Sequence, residues 1–86
     1  MALTILGAAD GVAEKIGAAI RAAVPDAQVQ VKAGGAGHFE VSVVAEAFRG
    51  KSMVQQHQLV YRAITPLMSG EAAPVHAIDR LQTRAP

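Results

Sequence analysis

The sequence HFEVSVVAEAFRGKSMVQQHQ, residues 38–58, contains the change of hydrophobic period that decides the fold. Its first part alternates apolar with mostly polar residues, and this two-residue period predicts a strand over 38–46. The apolar positions that would share one face of the strand are Phe39, Val41, Val43 and Ala45. Residues 48–51 predict a turn, and Ser52 can cap a helix because its hydroxyl can accept a hydrogen bond from a free backbone N–H of the first turn. This helix would carry Met53, Val54, His57, Val60, Tyr61 and Ile64.

The segments on either side of this stretch predict the remaining elements. Apolar residues recur at helical spacing over 10–23, which predicts a one-sided helix. Residues 27–33 alternate and predict a short strand, which the glycine-rich residues 34–37 would join to the next strand as a hairpin. Thr65-Pro66 would end the second helix and could start another, because threonine suits a cap and proline suits the first helical position. A short final strand is predicted to contain Val75 and Ala77 and could extend to Leu81.

The order of predicted elements is αββααβ, which indicates an α+β fold in a single small domain. Because each helix has one apolar stripe to bury, the helices would form one layer over one face of a three-stranded sheet. We expect an N-terminal tail over 1–9 and the folded domain over 10–86. The 86 residues contain no repeat, no linker and no sign of a second domain.

The composition excludes several classes of function. The chain has no Cys, so it can form neither a disulfide nor a cysteine-ligated metal or iron–sulfur site of its own. A net charge of +1 and 3% aromatic residues are unlike those of strong duplex binders and of single-strand binders that stack bases. No stretch reaches the roughly 18 to 20 uncharged apolar residues of a membrane span. We therefore expect a cytoplasmic protein that contacts no membrane and, without a nucleophile motif, is not an enzyme.

Four segments taken together resemble the BolA family. They are the strand Phe39–Ala47, the turn Phe48-x-Gly50-Lys51, the helical VQQHQLV of residues 54–60, and Val75-His76-Ala77. The resemblance extends over about residues 10–84 and implies a BolA-like αββααβ domain related to the type II KH fold. Members of the family associate with monothiol glutaredoxins of the CGFS type. The two proteins share a [2Fe-2S] cluster held by a glutaredoxin cysteine, glutathione and histidine of the BolA-like chain.

The resemblance also implies which residues would hold the cluster. His76 matches the family's cluster histidine, and a neutral imidazole can ligate iron; from the residues alone, His76 could instead be a packed or solvent-facing strand residue. The family's second ligand is a Cys or His in the loop between the first two strands. Where related chains read Gly-Gly-Cys-Gly, this chain has Ala36, so His38 is the candidate that remains. An ordinary role at the start of the strand is the alternative for His38.

A glutaredoxin would dock on the face formed by the helix from Ser52 and the final strand. The residues assigned to this contact are Lys51, Gln56 and His57. His57 matches the family's helix histidine, and packing or hydrogen bonding is its more typical role on a helix. The resemblance thus implies an accessory protein of iron homeostasis or stress response, a monomer or weak homodimer that holds no cofactor when alone.

Residues 49–71 have the look of a helix–turn–helix and support a second hypothesis, a transcriptional regulator that binds duplex DNA. Such a segment needs basic side chains for phosphates and amides for base edges. The candidates are Arg49, Lys51, Gln55, Gln58 and Arg62. The small number of basic residues favours a solvated or protein-docking face, so the DNA hypothesis stands second.

Overall fold

A computed structural model of the protein describes residues 8–70 and 73–86, with side chains from residue 11 onward. Its elements in chain order are α1 (Ala8–Ala23), β1 (Gln28–Ala33), β2 (His38–Val44), a 3-10 turn (Glu46–Phe48), α2 (Met53–Met68) and β3 (Ala77–Arg84). This is a small α+β domain with two helices and a three-stranded sheet, which confirms the predicted fold class. Within the described ranges, neither helix is long and apolar enough to cross a bilayer.

The sheet has the order β1-β2-β3, so β2 is the central strand. β1 and β2 form the predicted antiparallel hairpin, with Ala33 opposite Phe39 at the loop end. β3 lies parallel to β2. Parallel neighbours require a crossover connection, and α2 supplies it.

The core lies on one side of the sheet. Phe39, Val41 and Val43 of β2 are buried, while the residues between them face the other side. The helices contribute Ile16 and Ile20 from α1 and Val60 and Ile64 from α2, all with no exposed surface. The remaining buried apolar residues are Val24, Ala27, Ala45, Phe48 and Val75. The opposite face of the sheet, which begins with His38, is left open.

The start of α2 is held by a capping box. The Ser52 hydroxyl accepts a hydrogen bond from the backbone N–H of Gln55 at 3.2 Å, and the Gln55 side-chain oxygen accepts one from the N–H of Ser52 at 3.0 Å. Two of the free N–H groups of the first turn are thereby satisfied. The cap fixes where α2 begins, and so where the side chains of its first turn lie.

Element ends differ from the predictions by a few residues. α1 begins at Ala8, two residues before the predicted start, so the expected tail over 1–9 loses its last two residues to the helix; residues 1–7 lie outside the described part of the chain. β2 ends at Val44, because the chain turns into the 3-10 segment at Glu46. β3 runs from Ala77 to Arg84, so it begins two residues after Val75, where the predicted final strand started, and ends three residues beyond Leu81.

The largest difference concerns Pro66. The separate helix expected from Thr65-Pro66 does not form, and α2 continues through Pro66 to Met68. The Thr65 hydroxyl donates to the carbonyl of Tyr61 at 2.6 Å, within the helix, instead of capping a new one. Proline is most disruptive in a helix interior; here it lies in the last turn, and the next residue, Leu67, packs against the core. We infer that this packing outweighs the hydrogen bond that proline cannot make.

Removing the cap should destabilise the domain. We expect Ser52→Ala to lower the free energy of unfolding by about 1 kcal/mol, because the backbone N–H of Gln55 loses the hydroxyl that accepts its hydrogen bond. Urea denaturation followed by far-ultraviolet circular dichroism measures this change. Ser52→Asp keeps a side-chain acceptor and is the matched control. Equal midpoints for Ser52→Ala and the wild type would show that the cap contributes nothing.

Candidate functional site

His76 lies against the loop between β1 and β2. The carbonyl of Gly37 accepts hydrogen bonds from the backbone N–H groups of His76 at 2.7 Å and Ala77 at 3.1 Å. Gly37 has a φ of +74°, and a Cβ built on it would lie 2.7 Å from Cγ of the His76 ring. Only glycine tolerates both the left-handed backbone and this close approach. The loop therefore carries Gly37 so that the imidazole of His76 can rest on its backbone.

His38 lies beside His76 at the same end of the sheet. It is the first residue of β2, and its Cα partner on β3 is Ala77, the residue after His76. The His38 ring is 45% exposed, and its Nδ1 is 3.0 Å from a carboxylate oxygen of Asp79. Since Gly37 directly precedes His38 and contacts His76, the two histidines that were predicted as ligands lie on neighbouring segments at one end of the sheet.

The donor set of this end of the sheet suits a shared metal centre. Among residues 11–70 and 73–86, no group of three or more His, Cys, Asp or Glu is arranged to hold a metal ion. At this end of the sheet the described chain offers the imidazoles of His38 and His76. Imidazole can take the place of thiolate on an iron–sulfur cluster, so the residues present fit a cluster bridged to a partner.

The structure corrects the assignment of Gln56 to partner binding. Gln56 is 9% exposed, and its side-chain amide is fully engaged inside the domain. Its Nε2 donates to the carbonyl of Lys51 at 3.0 Å, and its Oε1 accepts from the Thr83 hydroxyl at 2.7 Å. Gln56 therefore joins the first turn of α2 to β3. Because Gln56 lies among other glutamines, the sequence gave no indication that this one would be buried.

The other two residues assigned to partner binding differ in their accessibility. Lys51 is exposed just before α2. His57 is half-buried, and its Nε2 is shielded from solvent without a hydrogen-bond partner among the described residues. Leaving a buried polar atom unpaired costs about 1–3 kcal/mol, so the position of His57 is not explained by stability of the isolated domain.

Three apolar residues expected on the stripe of α2 are instead exposed. Met53 is 55% exposed, Val54 65% and Tyr61 38%. Beside them, a groove of about 530 Å³ separates α2 from β3. Its lining includes Met53, His57, Leu81, Thr83 and Arg84. The sequence reveals the apolar character of these positions, but only the placement of α2 over the edge of the sheet shows that they remain uncovered.

Four of the five residues assigned to DNA binding line one shallow depression on α2. Its lining consists of Lys51, Gln55, Gln58, Leu59 and Arg62, with no acidic residue.

Arg49, the fifth residue assigned to DNA binding, is engaged elsewhere. Its guanidinium pairs with the Glu46 carboxylate and donates to the carbonyl of Pro86 at 3.1 Å. The hydrogen bond from Arg49 lowers the pKa of Glu46. Arg49 therefore connects the 3-10 turn to Pro86, just after β3.

Comparison with known proteins agrees with this architecture. A protein-family model described as BolA-like protein matches residues 19–86. BolA-like protein 1 of Mus musculus is 41% identical over 56 residues, which are 65% of this chain and 38% of the mouse protein. The match thus spans little more than a third of the length of that relative.

Solved structures agree in fold. The solution structure of BolA1 protein from Mus musculus superimposes with a TM-score of 0.70 at 27% identity, over 100% of this chain and 72% of that chain. BolA1 from Arabidopsis thaliana gives a TM-score of 0.71 over 95% of both chains, and its 19% identity supports the fold alone. Since the family model covers most of the chain and the fold agrees, this chain belongs to the BolA-like protein family.

Proposed function

We propose that this protein is a non-enzymatic iron–sulfur accessory protein that binds a CGFS monothiol glutaredoxin and helps to hold or transfer a bridging [2Fe-2S] cluster. The observation that carries the proposal is the placement of His38 and His76 on neighbouring segments that contact each other through Gly37. A glutaredoxin cysteine and glutathione would complete the ligand set. We place this activity in the cytoplasm, in iron homeostasis or the stress response, and expect the isolated protein to be a monomer or weak homodimer without a cluster.

The rigid backbone around His76 supports a ligand role. Its own N–H and that of the next residue are both bound to Gly37, so the Cα of His76 is held firmly. Its side chain is nevertheless exposed and lies at the end of the sheet. When bound, imidazole in place of thiolate raises the reduction potential of a cluster. A ligand on a fixed backbone with an accessible ring can accept a cluster from a partner without refolding of the domain.

The exposed apolar residues of α2 provide the docking face. Met53, Val54 and Tyr61 form an uncovered apolar strip, and exposed apolar patches mark sites of protein contact. Lys51 lies just before α2, Arg62 directly follows Tyr61 within it, and the sequence of α2 contains no acidic residue. The partner surface that complements this face is apolar with an acidic border.

The docking face begins at the start of α2, near the end of β3, whereas the histidines lie near the start of β3. Gln56 near the start of α2 contacts Thr83, whereas the carbonyl of Leu67 accepts the N–H of Val75, next to His76. Eight residues of β3 span roughly 25 Å at about 3.3 Å per residue. A small globular domain of about 100 residues has a radius of gyration of about 13 Å, so one partner molecule can contact both ends.

Replacing His76 should alter the mixed cluster without preventing docking. After anaerobic reconstitution with a CGFS glutaredoxin and glutathione, we expect the wild-type protein to give a visible circular dichroism spectrum distinct from that of glutaredoxin alone. His76→Ala should lose or change that spectrum, because one imidazole ligand is missing, while size-exclusion chromatography still detects the complex. Ala22→Asn, on the exposed side of α1, is the control expected to keep the spectrum. An unchanged spectrum for His76→Ala would remove the ligand assignment.

Introducing a polar residue into the apolar strip should weaken docking. We expect Val54→Asn to lower affinity for the apo glutaredoxin by about 10- to 100-fold, because burial of a valine side chain is worth about 1.5–3 kcal/mol. Isothermal titration calorimetry measures the affinity. Ala22→Asn places the same side chain on the exposed side of α1 and should bind as the wild type does. Equal affinities for the two variants would move the docking face away from α2.

A second candidate function, binding of duplex DNA, is favoured by one observation. Lys51, Gln55, Gln58 and Arg62 surround a single depression of α2 that no acidic residue lines. Cations of this kind can neutralise phosphates, and amides can reach base edges. The same residues border the docking face, so DNA and a protein partner would compete for α2.

Salt dependence tests the DNA candidate. If Lys51 and Arg62 each neutralise a phosphate, the double variant Lys51→Ala/Arg62→Ala should reduce the slope of log affinity against log salt by about 2. Fluorescence anisotropy with labelled duplex DNA at several salt concentrations gives this slope. Arg49→Ala is the matched control, because Arg49 is engaged by Glu46. If the wild-type protein does not bind the labelled duplex at moderate salt, this function is excluded.

A further inference from the structure

Asp79 is an extra residue in the register between β2 and β3. Phe39 is paired with Ile78 and Glu40 with Arg80, so the residue between the two partners on β3 is left out of the pairing. The bulge brings Arg80 opposite Glu40. Bulges also change the direction of a side chain, and Asp79 is the side chain redirected here.

The redirected carboxylate reaches His38. Asp79 Oδ1 is 3.0 Å from His38 Nδ1, while both side chains remain about half exposed. A neutral imidazole that donates from Nδ1 carries no hydrogen on Nε2, so its Nε2 lone pair is available to a metal. In the described part of the chain, no hydrogen bond involves His38 Nε2.

We propose that Asp79 is a positioning residue that holds His38 as the second cluster ligand of this chain. Metal-binding histidines commonly donate their other N–H to a carboxylate, which sets the tautomer and the ring orientation. The loop residues Ala36 and Gly37 have no side chain that can bind a metal. The strand register pairs His38 with Ala77, the residue after His76, so His38 is the histidine that the register places beside His76. The proposal rests on the proposed function for the nature of the bound group, whereas the contact between Asp79 and His38 exists without it.

The first arm of the test uses the isolated protein and needs no cluster. Long-range ¹H–¹⁵N correlation spectra in mildly alkaline buffer report the tautomer of each imidazole, and His38→Ala assigns the signals. We expect wild-type His38 to be the Nδ1–H tautomer, and Asp79→Ala to shift it toward the Nε2–H form that free imidazole side chains favour in water. Glu40→Ala removes a carboxylate from the same open face without touching His38, and should leave the tautomer unchanged. An unchanged His38 tautomer in Asp79→Ala overturns the proposal.

The second arm uses the complex reconstituted with CGFS glutaredoxin and glutathione. Loss of a carboxylate behind a metal-bound histidine typically weakens binding by about 10- to 100-fold, so we expect Asp79→Ala to shorten the lifetime of the mixed cluster about tenfold or more under a chelator. Asp79→Asn keeps an acceptor oxygen and should restore part of the lifetime. Glu40→Ala, the charge-matched control, should behave as the wild type.

The possible outcomes distinguish the role proposed for Asp79 from the proposed accessory function on which it rests. A mixed cluster that depends on His76 but survives equally in His38→Ala or Asp79→Ala overturns the role of Asp79 and leaves the accessory function standing. Failure of the wild-type protein to form any mixed cluster overturns both. A tautomer shift together with a shortened cluster lifetime in Asp79→Ala, with Glu40→Ala unaffected, supports Asp79 as the residue that positions His38.

Discussion

The carbonyl of Gly37 is the acceptor on which the geometry of the candidate site depends. It receives two backbone N–H groups from the segment that enters β3, at 2.7 and 3.1 Å. These bonds attach the β1–β2 loop to the start of the parallel strand, which has no hairpin of its own to fix its position. The same attachment places His76 against the loop and sets Ala77 opposite His38. A left-handed glycine at this point therefore determines both how β3 joins the sheet and where His76 lies relative to His38.

A second attachment, at the far end of β3, connects the site to the docking face. Thr83 donates its hydroxyl to buried Gln56, and both are among the few polar residues inside the domain. A buried polar pair of this kind specifies one arrangement, because a shift of the helix would leave both groups unpaired. β3 is thus held at its start by the loop and near its end by α2. The candidate ligands and the exposed strip of α2 consequently belong to one rigid unit.

Much of the fold could be predicted from sequence because local chemistry and hydrophobic period agree there. The alternation of Phe39, Val41 and Val43 and the cap at Ser52 each predicted the element that the structure contains. The parallel placement of β3 and the continuation of α2 through Pro66 depend on packing between distant segments, which no local pattern expresses. Family resemblance singled out His38 and His76, and the structure places their segments side by side, whereas the contact of Asp79 with His38 depends on a bulge that sequence periodicity does not reveal.

Three features of the domain violate the local rules that the rest of the chain obeys. Asp79 lies in a strand although aspartate is depleted there, Gly37 adopts a left-handed backbone beneath an imidazole, and His57 buries a nitrogen that has no partner among the described residues. In proteins whose levels of structure otherwise agree, such exceptions are expected at functional sites. Two of them form the histidine end of the sheet, and the third lines the groove beside the exposed strip of α2. The hydrogen bonds to its carbonyl explain Gly37 by the completion of the sheet, whereas the exposed contact of Asp79 with His38 and the unpaired nitrogen of His57 are the features that the proposed partner would use.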